Sequence, residues 1–289
     1  MFRLLYLLIS ILVSSFAIAE PLYWQASKGE LNYLLIGSVH VGEDSMYPLP
    51  ANLTTFLQHS DGIVVETDIR SPSAIQYPQT TVTTQQVLTN NQKKELIGIT
   101  KLLGLDHQQL FLSPPWATAL TMQMKLIEYL GYKAQDGVDL WLLNQASAGG
   151  KSVYNLETIQ FQIDLLTRLP NGGKELLTSA IDEFDHIESA AHCLIQSWKQ
   201  GDIKKLNEFA KLSEMSPELE KLFIFERNRN WARKLSSGSL FPSHKGNYVV
   251  VVGALHLLGR NSVLELLKAQ GFTVTQRSKS VPANCEFKF

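Results

Sequence analysis

The chain has 289 residues, 45% hydrophobic and 18% charged, an ordinary globular mix that can bury a full core in one large domain or two small ones. Its formal net charge is -1, and its aromatic residues are scattered rather than interleaved with Lys and Arg. Together these exclude the basic field that a nucleic-acid surface needs.

The first segment in chain order is a targeting signal. Arg3 precedes an apolar stretch from Leu4 to Val13, and Ala17-Ile18-Ala19 forms an A-x-A site before Glu20. Residues 1–19 therefore read as a secretory signal peptide cleaved after Ala19. Their apolar core is short for a membrane span, and no later apolar run is long enough to cross one. The mature chain, 20–289, is expected to be periplasmic or secreted, with no membrane contact after cleavage. Export permits a disulfide between Cys193 and Cys285. Two separate thiols fit the spacing equally, and no metal-knuckle pattern is present.

Five apolar runs bounded by turn residues read as strands: 32–36, 63–66, 152–156, 248–252 and 272–276. Helical spacing appears at 51–59, 90–103, 115–130, 138–148, 158–169 and 263–270, with Pro115 at a helix start and Ser262 as an N-cap. The stretch 174–234 is helical almost throughout. This order predicts a single α/β domain over 20–289. Its central sheet is largely parallel and flanked by helices, with helical insertions at about 84–148 and 174–236 that form a cap.

Four chemistry-bearing residues fall at the carboxyl ends of these strands. His40 follows the first in "LLIGSVHVG", and Glu66 ends the second in "GIVVETD". Glu157 follows the third in "SVYNLET", and His256 follows the fourth in "VVVGALH". Parallel strands would gather two histidines and two carboxylates along the sheet edge where open α/β folds bind ligands. His40, Glu66 and His256 form a sound donor set for a first-row metal ion. The glycine three positions before each histidine gives room for a sharp turn and for a ligand beside the backbone. Each piece also has a plainer reading. Gly-x-x-His is a common tetrapeptide, Glu66 could pair with Arg70, and Glu157 could be a first-turn acid favoured by the helix dipole. The remaining histidines, His59, His107, His186, His192 and His244, read as surface residues. In "ERNRNWARKL", Arg229 and Arg233 fit a solvated face alongside Glu226. Arg227 and Asn228 are the better candidates for catalytic work, with Arg227 able to stabilise an oxyanion.

The chain resembles the TraB/PrgY/GumN family, through "LLIGSVHVG", "GIVVETD", "PPWATAL", "GVDLWLLNQASAGGKSVYNLETIQFQ", "WKQGD", "ERNRNWA" and "VVVGALHLLGRNSVLELLKAQGFTV". It is closest to the bacterial GumN-like branch and departs from it at Asn155, where that branch usually has glycine. The resemblance implies kinship with the Tiki membrane proteases, which look like metal-dependent peptidases using paired Gly-x-x-His motifs. It also implies a fold similar to the erythromycin esterases and the haem-binding lipoprotein ChaN. The expectation is a periplasmic metal-dependent hydrolase, foremost a peptidase. His40, Glu66 and His256 would hold Mn, Co or Zn, and Glu66, Glu157, Arg227 and Asn228 would act in catalysis. A metal-independent esterase and a non-catalytic haem- or peptide-binding protein are the alternatives. The expected partner is a peptide or small-molecule substrate.

Overall fold

In the computed structural model, described over residues 20–70, 74–212 and 215–287, a six-stranded sheet has the order β4-β3-β5-β2-β1-β6. The strands are β1 (Tyr23–Lys28), β2 (Leu31–Ser38), β3 (Gly62–Val65), β4 (Ser152–Asn155), β5 (Gly246–Gly253) and β6 (Thr273–Gln276). β2, β5, β3 and β4 are mutually parallel, and β1 runs antiparallel to both β2 and β6. The fold is thus mixed α/β around a mostly parallel sheet. The expected signal peptide lies outside the described residues. Among the described residues, no helix is long and apolar enough to cross a membrane.

The inner strands are buried on both faces, which is why they read as continuous apolar runs: Val249 to Val252 are all fully buried. β1 was not anticipated. Its sequence, YWQASK, carries no such run, and it pairs as a hairpin with β2 through a turn at Gly29, whose φ is 57°.

Helix α1 (Ala51–His59) links β2 to β3. Between β3 and β4 come α2 (Thr84–Val87), α3 (Asn90–Leu103), α4 (His107–Leu112), α5 (Pro115–Tyr129) and α6 (Val138–Ala148). Between β4 and β5 come α7 (Ile159–Thr167), α8 (Lys174–Asp182), α9 (Phe184–Gln200), α10 (Ile203–Leu212), α11 (Pro217–Glu220) and α12 (Glu226–Ser237). Helix α13 (Val263–Ala269) precedes β6. α3, α5 and α8 bury a second apolar cluster of their own around Leu96, Met122 and Leu177, apart from the core around the sheet.

Register sets where the strands end. Gly37 pairs with Val252 and Ser38 with Gly253, while Val65 pairs with both Val251 and Asn155. Beyond β3 and β4 the ladder continues: Leu156 N–H donates to Val65 C=O, and Glu157 N–H to Glu66 C=O, each at 2.9 Å. The strand-end residues are therefore brought level by backbone pairing before any side chain interacts. α9 is fixed to the same edge by Trp198, whose buried Nε1 donates to Gly37 C=O at 2.7 Å. Its Cys193 is disulfide-bonded to Cys285 of the C-terminal tail. A cross-link closing so long a loop restricts the unfolded chain. Reduction, or Cys285→Ser, is expected to lower unfolding stability by about 2–4 kcal/mol in urea titrations. An unchanged midpoint would mean that the two thiols do not pair.

Candidate functional site

Arg227 stands at the centre of the site. It lies one residue into α12, directly after a π-helical segment, Lys221–Phe225, a local widening that often marks functional positions. Its Nη2 donates to Glu66 Oε2 at 2.6 Å and to Glu157 Oε1 at 2.5 Å, and its Nε donates to Glu157 Oε2 at 3.2 Å. Nη1 donates to Phe223 C=O and faces His256 Nε2, both at 3.2 Å. Trp231, one turn along, lies under the guanidinium, with Cζ 4.6 Å from the ring centroid, and its Nε1 donates to Glu157 Oε2. Gln162 from α7 adds a hydrogen bond to Glu157 Oε1 at 2.9 Å. Glu157 is thus fully engaged and turned towards Arg227.

The two Gly-x-x-His histidines are held differently. His256 is buried. Asn228, fully buried, donates Nδ2 to Asn261 C=O at 2.9 Å, so its Oδ1 faces His256 Nδ1 at 2.6 Å. That nitrogen must carry the proton, leaving a lone pair on Nε2, 3.9 Å from Glu66 Oε1. Burial, with Arg227 and His40 nearby, pushes its pKa down to about 3, although Glu66 pulls the other way. His256 is therefore neutral at pH 7. His40 has a 70% exposed side chain, and its Nδ1 lies 2.9 Å from Asp139 Oδ2. Ser38 Oγ donates to the other Asp139 oxygen at 2.7 Å. The hydrogen bond and charge of Asp139 raise the His40 pKa to about 9, a shift that solvent at so exposed a ring tempers. Burial pushes the Glu66 carboxyl up, but the adjacent His256, the charges of Arg227 and His40 and the Gly253 N–H, donated to Oε1 at 2.8 Å, together outweigh it and hold it below the ordinary value.

The structure thus brings Glu66, Glu157, Arg227 and His256 into one buried cluster, with His40 at its exposed rim. Asn228 does not reach the cavity; it acts through the His256 ring. Glu66 pairs with Arg227, while Arg70 pairs with Asp68. Asp139, Ser38, Trp231 and Gln162 were not anticipated. Asp139 reads in sequence as an ordinary first-turn acid of α6, and the other three lie within the quoted motifs without a chemistry of their own to single them out.

The motif glycines provide room, and neither has a left-handed φ. Gly37 lies inside β2 rather than at a turn. A side chain there would come within 2.9 Å of the Ala254 Cα. A Cβ at Gly253 would stand 3.4 Å from Glu66 Oε1, 3.5 Å from His256 Cδ2 and 3.9 Å from His40 Nε2. The three candidate metal donors therefore surround Gly253. As placed, no group of three or more His, Cys, Asp or Glu among the described residues is close enough to hold an ion together. His40, turned to Asp139, is the outlying member.

A cavity of about 290 Å³ opens over Glu66, Arg227, His256 and His40, with an otherwise largely apolar lining. A larger one of about 750 Å³ lies beyond Arg227 and Glu157, but neither motif histidine nor Glu66 lines it, so the chemistry belongs to the smaller.

Two measurements probe this electrostatic arrangement. Arg227→Met leaves two carboxylates buried side by side without their cation and is expected to cost about 3–5 kcal/mol of unfolding free energy. A loss below 1 kcal/mol would mean that the pairs are solvated. The second uses pH. His256 takes up a proton on unfolding, so its contribution to stability is present above pH 6.5 and falls as pH drops towards about 3. Between pH 6.5 and 5 the carboxylates, whose ordinary values are 4.5 for Glu66 and 3.8 for Asp139, stay ionised in both states. His40 stays largely protonated in both, its gain being lost only as pH rises from 6.5 towards 9. The wild type should lose about 2 kcal/mol over that window relative to His256→Gln. Parallel pH profiles would show that the buried ring is not neutral.

The family model described as TraB/PrgY/gumN family matches residues 22–276. The chain is 30% identical over 243 residues to the uncharacterized protein YbaP of Escherichia coli strain K12, covering 83% of this chain and 89% of that protein. It is 31% identical over 237 residues to YbaP of Shigella flexneri, covering 81% and 87%. No solved structure matches.

Proposed function

The chain belongs to the TraB/PrgY/gumN family, and from that premise we propose that it is an exported metal-dependent hydrolase acting on peptides. The supporting observation is the convergence of His40, Glu66 and His256 on Gly253, with each histidine held through Nδ1 by an acceptor, Asp139 or Asn228. That is the outer-shell support a ligating imidazole needs, because it directs the Nε2 lone pair at the ion. Two imidazole nitrogens and a carboxylate oxygen suit Mn, Co or Zn. Such an ion would supply a bound water that ionises near neutral pH.

The chain's own groups have separable roles. Glu66 is a third ligand or the base that receives the water proton. His40 and His256 would bind through Nε2, which requires His40 to give up its proton and Arg227 Nη1 to leave the His256 Nε2 that it faces at 3.2 Å. Arg227 has one N–H not committed to a carboxylate or carbonyl, the one facing His256 Nε2. It is the donor available to a developing oxyanion. Glu157 fixes Arg227, and Asn228 fixes His256. The signal sequence and the Cys193–Cys285 disulfide both favour an oxidising compartment, and we infer the periplasm.

One observation favours the metal-independent reading. The environments push the two histidine pKa values apart, His40 up and His256 down, which is how an acid and a base are made from one residue type. The haem-binding alternative fits less well, since about 290 Å³ is at the small end for a ligand pocket.

Untagged protein should bind one divalent ion in calorimetric titration. His40→Ala and His256→Ala should abolish binding, and Asp139→Ala should weaken it about 10–100-fold. Gly253→Ala, whose methyl would meet all three groups at ordinary contact distance, should keep its unfolding midpoint and lose the ion. Full hydrolytic activity in chelator-treated wild type would overturn the metal version and favour acid–base catalysis by the histidines.

A further inference from the structure

We propose that the apolar cavity beside the polar centre is a specificity pocket for one bulky hydrophobic side chain, leucine- or phenylalanine-sized, next to the bond that is cut. The inference rests on the hydrolase reading above and names its substrate class: peptides with a large apolar residue at the scissile position.

The cavity has two unlike parts. At one end are His40, Glu66, Arg227 and His256, the only charged or imidazole side chains among the described residues that line it. One side of the wall comes from the helical region, with Leu194 and Ile195 of α9, Phe209 of α10 and Ile224 of the π-helical segment, and the other from the segments after β2 and β5, with Val41 and Leu258. A group held against these walls places its own backbone over the polar end. About 290 Å³, at the low end for small-ligand sites, suits one large side chain with its adjoining backbone rather than an extended ligand.

The walls are also braced from behind. α9 is tied at Cys193 to Cys285 and pinned by Trp198 to Gly37 C=O. On α10, the Phe209 ring packs against Phe287 of the tail, with centroids 5.5 Å apart. A braced apolar wall discriminates by size, because it does not collapse around a smaller group.

The test uses capped tripeptides, acetyl-Gly-X-Gly-amide with X as Leu or Ala, titrated into the full-length mature protein and followed by NMR. A quenched-fluorescence peptide library is run in parallel. Leu should bind about 10–50-fold more tightly than Ala. Ala191→Phe, which fills the pocket, and Leu194→Asn, which makes it polar, should each abolish that preference. Both variants are checked for a wild-type circular-dichroism spectrum, and Leu194 is only partly buried, so it gives a reading if Ala191→Phe does not fold. Equal binding of Leu and Ala peptides, or a preference that survives in Leu194→Asn, overturns the pocket even if library peptides are cut. A preference lost in the variants, with no library peptide cut at any metal loading, upholds the pocket and overturns the hydrolase reading.

Discussion

A single buried guanidinium holds this site together. Glu66 and Glu157 are fixed side by side by the backbone ladder continuing past β3 and β4. Two carboxylates removed from water at that separation would repel each other, and one would take up a proton. Arg227 prevents this by donating to both. The cation comes from a helix that packs over the sheet edge, so that helix cannot leave without exposing the pair. Site chemistry and fold stability are therefore the same interaction seen from two sides. Removing Arg227 would leave both carboxylates buried without a counter-charge, so the arrangement ties the helix to the strand ends.

The paired Gly-x-x-His motifs do not make a symmetric pair of histidines. Both follow parallel strands with level ends, yet the surroundings differ. His256 leans on a neutral amide inside the core, its ring tilted 50° against Trp231 with centroids 4.4 Å apart. His40 leans on a carboxylate at the solvent edge. Burial removes the charge from the first, and Asp139 favours it on the second. The glycines diverge likewise. Gly37 admits the Ala254 backbone, and Gly253 leaves space among the polar groups. One motif thus supports two electrostatic functions, decided by second neighbours that the motif does not contain.

This explains what was legible in the sequence. Continuous apolar runs mark strands buried on both faces, so β2, β3 and β5, and with them the positions of His40, Glu66 and His256, follow from pattern alone. The helices at 51–59, 90–103 and 138–148 follow from spacing and caps, with bounds that agree with the structure. β1 escaped notice because a half-buried hairpin strand has neither signature. Asp139 escaped because its partner His40 lies 99 positions away, and Trp231 and Gln162 because each reads as an ordinary helical residue until Glu157 is set against it. Side-chain contacts made across folded distance leave no local trace, and the selection between His40 and His256 was made there.

The cavity and the polar centre share more than a boundary. Ile224, within the π-helical segment, forms part of the apolar wall, and Arg227 follows it by about one helical turn. Arg227 Nη1 is bonded to Phe223 C=O within that same segment. A group pressed against Ile224 therefore bears on the backbone that aims the guanidinium at Glu66, Glu157 and His256. A hydrophobic residue held there, under the proposed reading, would lie beside the same segment that fixes Arg227 Nη1, whose other N–H faces His256 Nε2.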